Sequence, residues 1–157
     1  MSSQTIPVVI DMGLGQIHMA VAAPSLDDIR DAAKALQGIV AYTALLESPE
    51  ANAKLSGRLL IKAECAQRTG AFKLRGAYNC IRQMSPAEKK RGVITYSSGN
   101  HAQGVALAAR LLGTTALVVM PSDVAASKKD CTRALGAEIF TFDRDSEDYN
   151  DVVARLS

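Results

Sequence analysis

The sequence has no tryptophan and only three phenylalanines and four tyrosines, so aromatic residues make up 4% of it. Charge of one sign is not in excess either: the formal net charge is +2, with the basic residues spread along the chain. Without a basic face interleaved with aromatics, no nucleic-acid partner is expected. Histidine occurs only at His18 and His101, and the three cysteines, Cys65, Cys80 and Cys131, form no C-x-x-C pair. No metal-ligand spacing results, so no metal is expected. An odd number of scattered cysteines builds no disulfide framework and suits reduced thiols in a cytoplasmic protein. The three read as small, partly buried hydrophobes. Long apolar runs are missing too. Nothing approaches the roughly 20 residues of a membrane span, and no positive leader opens the chain. A soluble protein with no membrane partner is expected.

What is present is an ordinary globular composition. The 157 residues are 48% apolar and 22% charged, which lies in the folded, soluble range. That length suits one domain or slightly more and could bury roughly two-thirds of its unfolded surface.

Residues 1–24 are the least readable. Gly13-Leu14-Gly15 invites a dinucleotide-loop reading, but His18 stands where the third glycine is required. The stretch is therefore an unassigned extension. Ser25 followed by Asp28 forms a capping box, and Leu26, Ile29, Ala33, Leu36 and Val40 recur at helical spacing. Residues 42–46 read as a short strand. Ser48-Pro49-Glu50 opens a second helix that Gly57 stops. Residues 58–63 follow as a strand, and its run Leu59-Leu60-Ile61 is expected to be buried. Beyond a helix from Lys73, Ser85-Pro86 begins a short helix ended by Gly92. Strands are then expected over 93–96, 115–120 and 138–142. Helices fall between them over 101–112 and 121–135, and Ser146 caps a last one. Short strands alternating with helices imply parallel βαβ units, and their continuous apolar character implies two covered sheet faces. The expected fold class is α/β, an open, twisted parallel sheet flanked by helices.

Two stretches carry candidate chemistry. In the first, Glu64-Cys65-Ala66-Gln67-Arg68-Thr69-Gly70-Ala71-Phe72-Lys73-Leu74-Arg75-Gly76-Ala77, Lys73 falls at a helix start just past a Thr-Gly turn. An amine there faces the positive end of the helix dipole, and a neutral amine is the nucleophile of Schiff-base chemistry. The plain alternative is a solvated surface charge. In the second, Ser97-Ser98-Gly99-Asn100-His101 joins a strand end to a helix start. Unsatisfied N–H groups there suit an anion such as a carboxylate, at the strand ends where ligands of open α/β sheets bind. The plain alternative is a cap in which Ser98 or Asn100 serves its own helix.

The first stretch resembles the E-x-x-Q-x-T-G-[SA]-F-K-x-R-G-A signature of the pyridoxal-phosphate serine/threonine dehydratase family of fold type II, which includes serine racemases. Glu64, Gln67, Thr69, Gly70, Phe72, Lys73, Arg75, Gly76 and Ala77 all fall on it. Ser97 to Gly104, S-S-G-N-H-A-Q-G, is similar to the family's carboxylate-holding loop. The likeness runs on through Val119-Met120-Pro121 and Gly136-Ala137-Glu138 and covers the chain from about Leu26. It implies that Lys73 carries pyridoxal 5'-phosphate, that Phe72 packs beside the cofactor and that Asn100 bonds its phenolic oxygen. Ser97, Ser98, Gly99, Asn100 and His101 would hold a small amino-acid substrate, His101 through its backbone. Ser98 resembles the serine that in serine racemases handles a proton on the face opposite Lys73. Lys128 and Lys129 read as a solvated helix face.

The implied reaction is β-elimination of L-threonine or L-serine to a 2-keto acid and ammonia. The alternatives are a racemase-type activity or a truncated, non-catalytic remnant, with homo-oligomerisation left open for a full-length enzyme. In domain terms, residues 1–24 stay unassigned. Residues 25–84 begin a large cofactor domain that includes the Lys73 helix, and 85–157 form a small α/β domain. Two departures stand out: Ala71 replaces the commoner serine, and Thr43-Ala44-Leu45 replaces a Thr-Pro-Leu turn. The family's glycine-rich phosphate loop falls beyond the equivalent of Ser157, so half a cofactor pocket is expected.

Overall fold

A computed structural model describes residues 8–9 and 23–156 of the chain. In order these form β1 (Val8–Val9), α1 (Leu26–Ala35), β2 (Leu45–Glu47), α2 (Pro49–Leu55) and β3 (Leu60–Lys62). A 3₁₀ turn over Glu64–Ala66 leads to α3 (Lys73–Arg82) and α4 (Pro86–Arg91). The remainder alternates: β4 (Val93–Tyr96), α5 (Asn100–Leu111), β5 (Ala116–Pro121), α6 (Ala126–Ala134), β6 (Glu138–Phe142) and α7 (Tyr149–Leu156). The Gly13-Leu14-Gly15 run and His18 lie outside the described residues. Within the first 24 positions, Val8–Val9 pairs parallel with β4 and so joins a sheet that its sequence gave no reason to include it in.

The main sheet has the order β1-β4-β5-β6 and is parallel throughout, as expected of βαβ units. Side chains alternate across it. Val93, Ala116, Val118 and Met120 join one apolar cluster with Val105, Leu107 and Ala108 of α5 and Leu74, Ala77 and Ile81 of α3. Ile94, Val119 and Phe142 face the other way, towards Val152 of α7. Both faces are covered, which is why these strands read as unbroken apolar runs. Helix α5 is buried almost all round because the sheet lies on one side of it and α3 on the other.

Several expectations are corrected. Leu59-Leu60-Ile61 is not buried: among the described residues β3 pairs with β2 alone, antiparallel, and Ile61 and Leu45 are 53% and 58% exposed. Nothing among the described residues forms a layer over this ribbon, so its apolar side chains stay in contact with solvent. Helix α1 ends at Ala35 instead of Val40, because Gly38 turns the chain at φ +74°. Ser56, at φ 48°, takes the left-handed position after α2 that Gly57 was expected to fill. Pro121 closes β5 instead of opening a helix, since the Ser122 amide continues the ladder by donating to the Phe142 carbonyl at 2.8 Å. The last helix starts after Asp148, whose carboxylate accepts from the Asn150 amide, and not at Ser146. The three cysteines are exposed, so none is a core residue. The capping boxes at Ser25–Asp28 and Ser85–Glu88 are both formed. No described helix is long and apolar enough to cross a membrane, and no cluster of described side chains could hold a metal ion.

Candidate active site

The loop before Lys73 is held by its own polar side chains. Gln67, 4% exposed, works as a two-ended clamp. Its Nε2 donates to the Ala41 carbonyl at 3.0 Å, and its Oε1 accepts from the Ala41 and Arg68 amides at 2.7 and 3.0 Å. Glu64 receives Arg75 in a bidentate pair at 2.8 and 2.7 Å and the Thr43 hydroxyl at 2.7 Å. The Lys62 amine donates to the Thr43 carbonyl. The segment at 41–43, the loop at 62–68 and the first turn of α3 are thereby laced together across some twenty residues of sequence. Arg75 holds the Glu64 carboxyl down to about 2, against an opposing push from burial, and the Thr43 hydroxyl adds to the lowering. Removing the Gln67 carboxamide would leave the backbone N–H and C=O of the half-buried Ala41 without their partner. Gln67→Ala is therefore expected to cost about 2–3 kcal/mol in urea unfolding.

Gly70, at φ +67°, makes the turn that delivers Lys73 as the first residue of α3. Lys73 is half-buried, and its Nζ lies 5.1 Å from the centroid of the Phe72 ring. That ring is 57% exposed. The backbone at Lys73 is pressed against α5: a Cβ built on Gly104 would come 2.9 Å from the Lys73 carbonyl carbon and 3.0 Å from the Leu74 nitrogen. Gly104 stands four residues, roughly one turn and about 6 Å, from Asn100 along α5. The amine-bearing turn and the start of α5 are therefore neighbours.

That start lies beyond the carboxyl end of β4. The Ser97 amide donates to the Val119 carbonyl at 3.1 Å as the last rung of the ladder. The Ser97 hydroxyl then accepts from the Gly99 and Ala102 amides, both at 3.3 Å. Ser97 thus performs the capping that the plain alternative gave to Ser98 or Asn100. Among the described residues, neither the Ser98 hydroxyl nor the Asn100 carboxamide makes a side-chain hydrogen bond. Ser98 and Gly99 are half-buried, His101 likewise, and Asn100 is exposed.

The Lys73–Leu74 backbone therefore packs on α5 at Gly104, four residues after Asn100, which puts the two distant stretches on the same pair of packed helices. Gln67 lies on the signature, Thr43 in the departing turn and Gly104 at the end of the S-S-G-N-H-A-Q-G loop, but residue type alone assigns none of them these packing and clamping roles. The available signals were an uncharged polar residue in a loop and a glycine inside a helical run. Lys128 is exposed and Lys129 donates to the Ser122 carbonyl, so neither belongs to this corner. An open cleft of about 450 Å³ lies elsewhere, between the end of α1 and Lys62 and Arg75.

The corner fits part of a pyridoxal phosphate. A half-buried amine, an exposed aromatic ring, the exposed Asn100 carboxamide and a helix N-terminus suit its aldehyde, ring and an anionic substrate. A phosphate cradle is a different matter. Among the described residues the positive-φ glycines, Gly38, Gly70, Gly92, Gly113 and Gly136, lie at separate turns and form no nest of closely spaced amides.

A family model described as pyridoxal-phosphate dependent enzyme matches residues 36–157. An L-threo-3-hydroxyaspartate ammonia-lyase of Pseudomonas is 44% identical over 133 residues, covering 85% of this chain and 42% of the relative. An L-threonine ammonia-lyase of Thermotoga maritima is 47% identical over 115 residues, covering 73% of this chain and 29% of the relative. The solved structure of maize serine racemase superposes with a TM-score of 0.74 at 38% identity, over 83% of this chain and 40% of that one. The chain thus spans less than half the length of the curated relatives it matches.

Proposed function

The chain belongs to the pyridoxal-phosphate-dependent enzyme family, and from that premise we propose that it is the amine-bearing part of an ammonia-lyase. The proposed reaction is β-elimination of L-threonine or L-serine to a 2-keto acid and ammonia. The observation that carries the reading is the close approach of the Lys73 turn to α5, one helical turn from the Ser97–Asn100 corner. When bound, pyridoxal phosphate supplies an aldehyde that links to an amine and a ring that withdraws electrons from the α-carbon. Lys73 would hold that aldehyde, and its Nζ, as a neutral amine, would take the α-proton. The exposed amide end of α5 binds the substrate carboxylate, aided by the helix dipole. The Asn100 carboxamide would bond to the cofactor, and Phe72, next to Lys73, would pack beside it. Ser97 keeps the corner rigid by capping α5.

The test is covalent. Purified protein is incubated with pyridoxal phosphate, reduced with borohydride and digested. A single modified peptide containing Lys73 is expected. Modification spread evenly over the exposed lysines would overturn the proposal and favour a non-catalytic remnant.

One observation favours a racemase-type side activity: among the described residues the Ser98 hydroxyl makes no side-chain hydrogen bond, since Ser97 does the capping. In the full-length enzyme Ser98→Ala is expected to abolish proton exchange that inverts the α-carbon, at least tenfold, while elimination persists. Equal loss of both activities in a chiral product assay would remove this second reading.

A further inference from the structure

We propose that Gly104 is a positioning residue for Lys73, a glycine present in α5 so that the backbone carrying the amine can seat against it. The inference deepens the proposed function and rests on it. A glycine in a helix interior is unfavourable relative to alanine, so its place in the middle of the most buried helix asks for a reason. The reason is local. A Cβ at 104 would lie 2.9 Å from the Lys73 carbonyl carbon, 3.0 Å from the Leu74 nitrogen and 3.1 Å from the Lys73 Cβ. These are backbone atoms and a first side-chain atom, which cannot swing aside as the tip of a long side chain would.

Gly76 gives the contrast within α3. A Cβ there would meet nothing within 4 Å. Crowding at position 104 is therefore aimed at the one turn that holds Lys73 and is not a general feature of glycines in these helices. Further along, α3 is pinned. Leu74, Ala77 and Ile81 lie in the core, and Arg75 is paired with Glu64. An added methyl at 104 cannot slide the helix bodily. It has to lift the first turn by about 0.5 Å or more to restore ordinary carbon contact. The amine then moves relative to the Ser98–Asn100 corner, which is fixed to the same helix as Gly104. Displacements of that order are enough to spoil a reacting geometry.

The experiment compares Gly104→Ala with Ile81→Val, which loosens the same helix two turns away from the amine. Each protein is mixed with pyridoxal phosphate and reduced with borohydride, and modification at Lys73 is read by peptide mass against the exposed Lys90 and Lys128 as internal references. Gly104→Ala is expected to lower the Lys73 ratio at least tenfold. Ile81→Val is expected to lower the thermal midpoint and leave the ratio unchanged. Equal ratios in Gly104→Ala and the unaltered protein overturn the inference, as does an equal loss in Ile81→Val. If the unaltered protein shows no preference for Lys73, the proposed function itself fails, a result recognisable before any variant is made. A measurement without substitution guards against a Gly104→Ala chain that does not fold. In the unaltered protein the Leu74 amide, in the first turn of α3, is expected to exchange with solvent at least tenfold more slowly than an open amide, because Gly104 covers it. Rapid exchange there would overturn the seat.

Discussion

Lys73→Ala is expected to leave no borohydride-fixed cofactor on the protein. In an enzyme completed by the remaining length of its relatives, it is expected to lower elimination at least about 10³-fold. The size reflects two roles that fall on one nitrogen, holding the aldehyde and removing the α-proton. Lys73→Arg is expected to be as damaging, because a guanidinium stays protonated and cannot act as the nucleophile. Neither substitution touches the core, since Leu74, Ala77 and Ile81 supply the buried face of α3. The unfolding free energy is therefore expected to stay within about 0.5 kcal/mol of the original, as for most surface changes. Added small amines are expected to restore part of the turnover of Lys73→Ala, and not that of a variant which has lost its fold. Full activity in Lys73→Ala, measured by keto-acid release, would remove the lysine from the reaction.

Stability is expected to fall in acid in a window set by Glu64. Its carboxyl is held at about 2, chiefly by the Arg75 guanidinium, against an ordinary value of 4.5. A carboxyl lowered on folding stabilises the folded state when ionised, so its contribution is complete above pH about 4.5 and is lost as the pH falls towards about 2. By linkage that contribution is about 3 kcal/mol, a large share of a small protein's stability. The Glu64 side chain is 15% exposed and that of Arg75 32%, so solvent screening removes part of this contribution and about 3 kcal/mol is its upper bound. Glu64→Gln is expected to flatten the pH dependence between those limits and to cost a similar amount at neutral pH, where Arg75 loses its counter-charge. Urea midpoints recorded from pH 2.5 to pH 6 would check both. A slope unchanged by Glu64→Gln would mean that other carboxyls govern acid unfolding. The same pair ties the 41–43 segment to the turn that presents Lys73, so the acid loss is expected to reach cofactor fixation as well.

The relatives' names divide among ammonia-lyases for threonine and hydroxyaspartate and a serine racemase. These activities share removal of an α-proton and differ in the fate of the carbanion left behind. Among the described residues, nothing at the Lys73 corner selects a β-substituent.

Local chemistry wrote much of this protein directly into its sequence. The capping boxes at Ser25 and Ser85, the turn at Gly70, and the strands 93–96 and 138–142 are set by neighbouring residues alone, because caps, positive-φ turns and β-branched runs are decided within a few positions. The Lys73 and Ser97–His101 stretches were legible for the same reason, as contiguous motifs with recognisable chemistry. Burial was not legible for β3, since an apolar run reads alike whether or not a second layer exists to cover it. The Gln67 clamp on Ala41 and the Arg75–Glu64–Thr43 cluster could not be read off either, because their partners lie far apart in the chain. Most of all, only the packing of α3 on α5 seats the Lys73 turn against Gly104, on the helix that Asn100 begins. Proximity between residues far apart in the chain is a property of how helices stack, and the glycine that permits it is silent until its neighbour is in place.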